Sequence, residues 1–436
     1  MVSYQAKPLI TKGELPMNKN KVESKKTQVN INTELDLPQM SLMGLLQFGS
    51  QKLLVEAIKV EISEALGRGF YQHSELKGDT KGYRHGVRKT TLDTPIGPII
   101  YDRPRVNGIE FQSQFHVPYM RRPTEFAAQV CDMYVNGTST RKVKKALKAV
   151  TGNKIKMSKS TVSRITKTLV AEFKAWKKQD LSKLNCSYLF FDAIRIGMRI
   201  GGKTSDSVMI AYAILEDGSF TVLSIDISHS ESNKSWGRFI SDLKMRGLKD
   251  PILSISDGNA GVINSIESNF PTSMRQRCVK HKMENILDAV PKENQKELRK
   301  KLNAIFYGAT SLEQAKLFLK EFKKEYSKKF PSAISILETD IDQCLTFYLF
   351  PRNHWLKIRT SNKLERLNLE IRRRMNVIGR HPSEDGCLAL IYQVSKNYSF
   401  PQQRVQVNDL VKKLWIKIKE ERIAMIEQLQ LDLSAA

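Results

Sequence analysis

Residues 186–228 contain three β-rich runs, CSYLFFDAIRIGMRI (186–200), SVMIAYAILED (207–217) and FTVLSIDIS (220–228). Gly201-Gly202 and Asp217-Gly218 separate these runs, and such pairs are typical of tight turns between antiparallel strands. The pattern therefore predicts a three-strand meander. Asp192 is the single acidic residue of the first run and follows its apolar stretch.

A helix, a strand and a second helix follow the meander. Apolar residues recur at helical spacing in SNKSWGRFISDLKMRG (232–247), PILSISDG (251–258) is typical of a buried strand, and NAGVINSIESNF (259–270) is again helical. The order β-β-β-α-β-α is that of a ribonuclease H-like mixed sheet. The first and fourth strands are neighbours in such a sheet, so Asp192 and Asp257 are expected side by side.

A third isolated carboxylate, Glu365, lies in the cationic segment RTSNKLERLNLEIRRR (359–374). The buried stripe of the predicted helix is formed by Leu364, Leu367 and Ile371. Glu365 and Asn362 lie off that stripe and are expected to face a cleft. Glu365 either pairs with its basic neighbours or binds a metal ion while arginines hold DNA phosphates. The candidate phosphate contacts are Arg359, Arg366, Arg372, Arg373 and Arg374.

Asp192, Asp257 and Glu365 together are the ligand set needed to hold two divalent ions, Mg²⁺ or Mn²⁺, for phosphodiester chemistry. Asp192 would bridge both ions, and the other two carboxylates would each secure one. Without metal, the three charges would repel one another and at least one pKa would rise. The alternative for the two aspartates is that each only ends a strand at a turn.

The charge balance favours a polyanionic partner. The chain has 71 Lys+Arg against 45 Asp+Glu, a net charge of +26, and phosphate contacts by such a surface release condensed counterions. Ribosome-like basicity, attraction to a membrane surface and a simple solubility charge are the alternatives. No apolar run approaches the roughly 18 residues of a membrane span, and the five cysteines lack CxxC pairs. These features predict a cytoplasmic, nucleoid-associated protein without a signal peptide or membrane segment.

Residues 121–167 predict a DNA-binding helix-turn-helix. This segment contains twelve Lys/Arg and only two acidic residues, Glu125 and Asp132. Its pattern is a helix, a turn at Asn136-Gly137, a second helix, another turn and a third helix that begins at Ser158 or Ser160. In this motif the last helix enters the major groove. Its predicted DNA contacts are Lys159, Ser163, Arg164 and Lys167. The alternative is a basic helical bundle with a solvated lysine face.

These patterns divide the chain into eight segments. They are a polar, lysine-rich leader (1–40), a helical segment with a helix end at Gly67 (41–76), a small β element (77–118), the helix-turn-helix region (119–180), the first part of a catalytic core (181–291), an all-helical insertion (292–350), the last part of the core with the Glu365 helix (351–400) and a C-terminal helical segment (401–436). The fold class is therefore α/β.

Cys278 and His281 in MRQRCVKHKMEN (274–285) have the spacing of a zinc half-site. No second pair follows at a usable distance, which favours a buried cysteine and a hydrogen-bonded histidine near the active site.

Two segments, SDGNAGVINSIESNFPTSMRQRCVKHKMENILDAVPK (256–292) and RTSNKLERLNLEIRRRMNVIGRHPSEDG (359–386), resemble the signature segments of Mutator-type transposases of bacterial insertion sequences. The resemblance extends over about residues 41–390. It implies a DDE triad of Asp192, Asp257 and Glu365, a C-x-x-H motif at Cys278 and His281, and a helical insertion before the glutamate. His85 and His381 depart mildly from the family pattern without touching the acids.

The resemblance implies a DDE transposase that cuts double-stranded DNA at terminal inverted repeats and transfers the strand to target DNA, with two metal ions in each active site. A homodimer is expected because two element ends must be brought together. Two alternatives stay open: a helix-turn-helix regulator without catalysis, and a ribonuclease H-like nuclease that cuts without joining.

Overall fold

The computed structural model describes residues 40–70, 72, 82–116, 121–151, 155, 157–196, 206–228, 232–378, 383–398 and 404–435. The predicted leader therefore lies outside the described residues except for Met40. Within the described ranges, no helix is both long and apolar enough to cross a membrane.

The first helix, α1 (Leu42–Leu66), packs on a two-strand hairpin, β1 (Tyr83–Thr94) and β2 (Gly97–Asn107). α1 ends as predicted at Gly67, whose φ of 61° is left-handed and therefore favours glycine. Ile58, Ile62, Ile99 and Tyr101 form the buried contact between the helix and the hairpin.

Three helices follow where the sequence predicts them: α2 (Thr124–Val135), α3 (Thr140–Val150) and α4 (Lys159–Lys177). The Ser158 side chain caps α4 by accepting a hydrogen bond from the Thr161 backbone N–H at 3.1 Å. A small apolar core that includes Phe126, Val143 and Val162 holds the three helices together.

A five-strand mixed sheet forms the centre of the chain. Its strands are β3 (Cys186–Ile196), β4 (Asp206–Leu215), β5 (Phe220–Ser228), β6 (Leu253–Ser256) and β7 (Met274–Arg277), in the spatial order β5-β4-β3-β6-β7. β3, β4 and β5 are antiparallel, which confirms the meander, whereas β6 is parallel to β3 and β7 is parallel to β6. The predicted adjacency of the first and fourth strands is therefore confirmed.

The edge strand β7 is absent from the sequence-based prediction. Its sequence, MRQR, is short and polar and has no apolar alternation. The strand is stable in a buried position because the Gln276 side chain is satisfied by the backbone of a later segment. Its amide donates to the Cys344 carbonyl at 3.1 Å and its oxygen accepts from the Phe347 N–H at 2.8 Å.

Helices cover both faces of the sheet. One face packs on α5 (Asn233–Met245) and α6 (Ala260–Asn269), with Trp236 and Phe239 against Leu189 and Phe191. The opposite face carries Tyr188 and Phe190 and packs against the larger core, to which α4 and the later helices contribute.

The described elements after β7 are all helical. They are α7 (Val279–Asp288), α8 (Lys292–Asn303), a π-helical turn (Ala304–Gly308), α9 (Leu312–Tyr326), α10 (Pro331–Glu338), α11 (Ile341–Leu345), a 3₁₀ turn (Thr346–Leu349), α12 (Arg352–Ile358), α13 (Asn362–Ile378), α14 (Glu384–Asn397) and α15 (Asp409–Ala435). Residues 292–350 are thus helical, as predicted.

Candidate active site

Asp192 lies in β3, two residues beyond the last pair that this strand forms with β6. Its Oδ1 accepts a hydrogen bond from the Ala193 N–H at 2.9 Å, and its Oδ2 accepts one from the Asn368 side-chain amide at 2.9 Å. Burial, and to a lesser extent the charge of Asp257, raise the pKa of Asp192 to about 6 against the opposing effect of His281. Burial is thus the main cause of the raised pKa, and repulsion from Asp257 is a smaller contribution.

Asp257 follows β6 directly, and its Oδ1 accepts a hydrogen bond from the Asn259 N–H at 3.1 Å. The next residue, Gly258, allows the Arg277 guanidinium to lie against the backbone. A Cβ at Gly258 would lie 1.5 Å from Arg277 Nη1, so a larger residue there would displace the arginine. Arg277 in turn pairs with Asp340 at 3.3 Å.

Cys278 joins three segments of the site. Its backbone N–H donates to the Ser256 carbonyl, next to Asp257, at 2.8 Å. Its thiol lies 3.5 Å from the Ser361 hydroxyl, just before α13, and is fully buried. The next residue, Val279, donates its N–H to the Arg359 carbonyl at 3.0 Å. The prediction of a buried cysteine near the acids is confirmed.

Glu365 lies in the first turn of α13, and the helix is oriented as predicted. Leu364, Leu367 and Ile371 are at most 1% exposed, whereas Glu365 is partly exposed. Its Oε2 pairs with the Lys280 ammonium at 2.5 Å, and its Oε1 is buried without a hydrogen-bond partner among the described residues. The side chain of Asn362, predicted to face the same cleft, lies outside the described part.

His281 lies one residue after Lys280 and interacts with the two aspartates. The neighbouring Cys278 side chain, and then the carboxylates of Asp192 and Asp257, raise the pKa of His281 to about 9 despite its burial. His281 is therefore held as a cation at neutral pH. Its Nδ1 has no hydrogen-bond partner within the described ranges, whereas the side chain is hydrogen-bonded to Cys278, in line with the expected hydrogen-bonded histidine.

The contacts together bring the three predicted carboxylates to one region. Asn368, one helical turn after Glu365, binds Asp192, and Lys280 and His281 place two cations on α7 against the acids. Asn368 and Lys280 were missed in the sequence analysis. Asn368 had one available signal, because it lies at i+3 from Glu365 and on the same face of α13. Lys280 contacts Glu365 across 85 residues, and no spacing rule identifies such a pair.

The donor set fits a hard divalent cation. Three carboxylates offer the oxygen ligands that Mg²⁺ and Mn²⁺ prefer. Glu365 Oε1 has no hydrogen-bond partner among the described residues, and burial raises the pKa of Asp192. In the described part of the chain, no three Asp, Glu, His or Cys side chains are yet grouped closely enough to hold an ion. Glu365 is paired with Lys280 in this arrangement.

The predicted DNA-contact residues occupy different environments. Those of α4, namely Lys159, Ser163, Arg164 and Lys167, are all exposed, on the side away from its buried residues. Arg366, Arg372 and Arg373 on α13 are also exposed. Arg374 instead pairs with Glu370 at 2.7 Å and donates to the Asn136 carbonyl, which ties α13 to the end of α2.

Arg359 lies differently from the expectation of a phosphate contact. Its side chain is buried, and its guanidinium stacks over the Tyr307 ring with 4.0 Å to the ring centroid. The guanidinium also donates to the Phe306 carbonyl at 3.4 Å. The prediction fails because Arg359 packs against Tyr307, some 50 residues earlier in the sequence. The excess of positive charge around Arg359 gives no sign of this partner. Arg359 is therefore not one of the exposed cationic residues around α13.

Comparison with known proteins identifies the family of this chain. The model of the family described as "Transposase, Mutator family" matches residues 22–402. The chain is 32% identical over 363 residues to the transposase for insertion sequence element ISRM5 of Rhizobium meliloti, covering 82% of this chain and 89% of that protein. It is 33% identical over 341 residues to the transposase for element IS406 of Burkholderia multivorans, covering 78% and 86%.

A third relative is the transposase for element IS256 in transposon Tn4001 of Staphylococcus aureus. It is 30% identical over 324 residues, with 74% of this chain and 81% of that protein covered. The family match covers most of the chain. This chain belongs to the Mutator family of transposases, as the resemblance of its two signature segments implied.

Proposed function

We propose that this chain is a DDE transposase that cuts DNA at the inverted-repeat ends of an insertion sequence and joins the freed strand to target DNA. The observation that carries the proposal is the meeting of Asp192, Asp257 and the Glu365 helix through the Asn368–Asp192 hydrogen bond. Family membership supports the same reading, because the relatives are named as transposases of insertion sequences.

The sheet is proposed to be ribonuclease H-like, with residues 292–350 as a helical insertion before the last catalytic helix. The strand order β5-β4-β3-β6-β7, with three antiparallel strands followed by two parallel ones, supports this assignment. Such a sheet brings the carboxyl end of β6 beside β3, so acids at these two positions meet without any long loop.

Two divalent ions, held by Asp192, Asp257 and Glu365, would supply a Lewis acid that activates the attacking oxygen and stabilises the leaving oxygen. The protein's own part is to hold these carboxylates in place. Asn368 fixes one oxygen of Asp192, and the Ala193 N–H fixes the other. Lys280 and His281 balance the negative charge until the acids bind their ions.

The chemistry has two steps. In the first, water attacks the phosphorus at the element's end, the P–O3′ bond breaks, and a 3′-hydroxyl is released. In the second, that hydroxyl attacks a phosphodiester of target DNA, and the target P–O3′ bond breaks as the new bond forms. The exposed residues of α4 and of α13 would hold the double-stranded DNA, and a homodimer would bring two ends together.

The test is an assay of cleavage and joining on plasmid DNA that carries the element's own ends, with Mg²⁺ or Mn²⁺. The wild-type protein is expected to give strand breaks and a covalent donor–target product, and Asp192→Asn to give neither. A wild-type protein as inactive as Asp192→Asn would support the regulator instead. Breaks without any covalent donor–target product would support a nuclease.

A further inference from the structure

The β1–β2 hairpin carries a concentration of positive charge that the proposed active site and α4 do not use. A cleft of about 440 Å³ opens on this hairpin. Its lining includes the cations Arg88, Lys89, Arg103, Arg105 and Arg121, together with Phe111 and His116. A concave basic cleft is a feature of anion-binding sites, because low-dielectric walls concentrate the field of the charges.

The pairing of β1 with β2 places like charges next to each other, which lowers the stability of the hairpin. Arg88 lies directly opposite Arg103 in the antiparallel ladder, so the two side chains leave the same face about 5 Å apart at Cβ. Like charges in that position destabilise a sheet. The next pair along the ladder is different, since Lys89 lies opposite Asp102, whose charge can balance it.

Arg105 adds to the unbalanced charge. It is two residues from Arg103 in β2 and therefore projects from the same face. Within the described ranges, neither Arg88, Arg103 nor Arg105 forms an ion pair, whereas Arg121 is held by the buried Asp93 at 3.1 Å. Three guanidinium groups thus share one face with no acid to neutralise them in the described part of the hairpin.

The cleft also holds an unused polar group. His116 is 4% exposed, and its Nδ1 has no hydrogen-bond partner in the part of the chain that is described. Burial, and then the charge of Arg103, lower the pKa of His116, so the ring is neutral at physiological pH. A neutral imidazole can donate one hydrogen bond to a phosphate oxygen.

We propose that this face of the hairpin is a second DNA-binding site, in which Arg88, Arg103 and Arg105 hold phosphates of the DNA backbone. Guanidinium groups suit this ligand because they bind phosphate oxygens in pairs. The inference rests on the proposed function in one respect, since that function supplies DNA as the polyanion. The hairpin would then hold DNA that extends beyond the stretch bound by α4.

The experiment compares full-length wild-type protein with the double variant Arg88→Gln/Arg103→Gln. The probe is a fluorescein-labelled duplex of mixed sequence, and its anisotropy is followed as salt is varied. Each lost phosphate contact lowers the slope of log K against log[salt] by about 0.9, so the double variant is expected to lose about 1.8. The ratio of wild-type to variant affinity is therefore expected to be about 60-fold larger at 0.1 M salt than at 1 M salt.

The matched control is Lys296→Gln/Arg299→Gln on α8, which removes the same charge from exposed positions far along the chain. This control is expected to change the slope by less than half as much. The hairpin variant is also expected to melt at the same temperature as wild type or higher, because a repulsive pair has been removed. A lower melting temperature with an unchanged slope would overturn the proposal.

Two further outcomes distinguish the possible failures. If the hairpin variant keeps the wild-type slope while wild type cuts DNA, the hairpin proposal fails and the proposed function stands. If the variant loses slope but wild type neither cuts nor joins DNA, the transposase proposal fails and the hairpin site stands. Binding of inorganic phosphate is measured as well. If wild type binds phosphate and the variant does not, while both proteins have the same salt slope for DNA, the cleft is a site for free phosphate. That result would overturn the DNA-binding proposal.

Discussion

The Asp192→Asn variant is expected to be inactive on DNA and yet more stable than the wild-type protein at neutral pH. The folded protein raises the pKa of Asp192 from 3.8 to about 6, chiefly through burial. Because the folded pKa lies above the unfolded one, ionisation of Asp192 opposes folding. Asparagine removes this charge, and its single amide oxygen can accept the hydrogen bond from Asn368 while the one from the Ala193 N–H is lost.

The size of the effect depends on pH in a defined direction. Below about pH 4 the carboxyl is protonated in both states and carries little penalty. Between about pH 4 and about pH 6 the wild-type protein loses stability as pH rises. Above about pH 6, ionisation of Asp192 lowers the free energy of unfolding by its full amount of about 3 kcal/mol. The gain from Asp192→Asn should therefore be about 3 kcal/mol near pH 8 and less than about 1 kcal/mol near pH 4.

The assay is urea denaturation of the metal-free protein in EDTA at both pH values. Asp288→Asn, which removes an exposed carboxylate at the end of α7, is the matched control and should change the free energy of unfolding by less than about 0.5 kcal/mol. A gain of equal size at both pH values, or a loss of stability near pH 8, would refute the reasoning about a buried, undercompensated carboxylate.

Three further variants test the surroundings of the acids. Lys280→Met removes the 2.5 Å ion pair with Glu365. A partly exposed ion pair contributes about 0.5–1 kcal/mol, and without it Glu365 no longer has to give up this energy to bind a metal ion. Mn²⁺ binding in a calorimetric titration should therefore be about two- to fivefold tighter. Asn368→Ala removes a hydrogen bond to an ionised carboxylate and should lower the free energy of unfolding by about 1.5–3 kcal/mol, more at high pH than at low pH. Leu367→Ala should cost about 2–5 kcal/mol because Leu367 is fully buried.

Each of these variants has a control of the same type. Lys292→Met, at an exposed position on α8, should leave Mn²⁺ affinity unchanged, and equal effects of the two lysine variants would rule out a local role for Lys280. Asn376→Ala and Leu369→Ala lie on exposed positions of α13 and should change stability by less than about 0.5 kcal/mol. If Leu369→Ala cost as much as Leu367→Ala, the assigned orientation of α13 would be wrong.

Much of the fold follows from local sequence patterns. The meander, the amphipathic helix α5 and the end of α1 at Gly67 each depend on a short run of residues with one clear periodicity or turn signal. β7 has no such signal: it pairs with β6, and its Gln276 side chain bonds to Cys344 and Phe347, about 70 residues later. Contacts at that distance are set by the packed structure and leave no local pattern.

The same distinction separates the parts of the site. Asp192 and Asp257 could be placed together because strand order alone brings them to neighbouring strands. The partners of the acids could not be predicted. Lys280 and Asn368 are two polar residues among many, and only the folded structure brings Lys280 to Glu365 and Asn368 to Asp192. The burial of Arg359 against Tyr307 was likewise hidden by the basic sequence around it.

The central claim is that Asp192, Asp257 and Glu365 bind divalent ions as a set, and an electron paramagnetic resonance titration with Mn²⁺ tests it most directly. The wild-type protein is expected to bind two ions, Glu365→Gln to lose one of them, and Asp192→Asn to lose both. Equal stoichiometry and affinity in all three proteins would show that the ions bind elsewhere and would contradict the account.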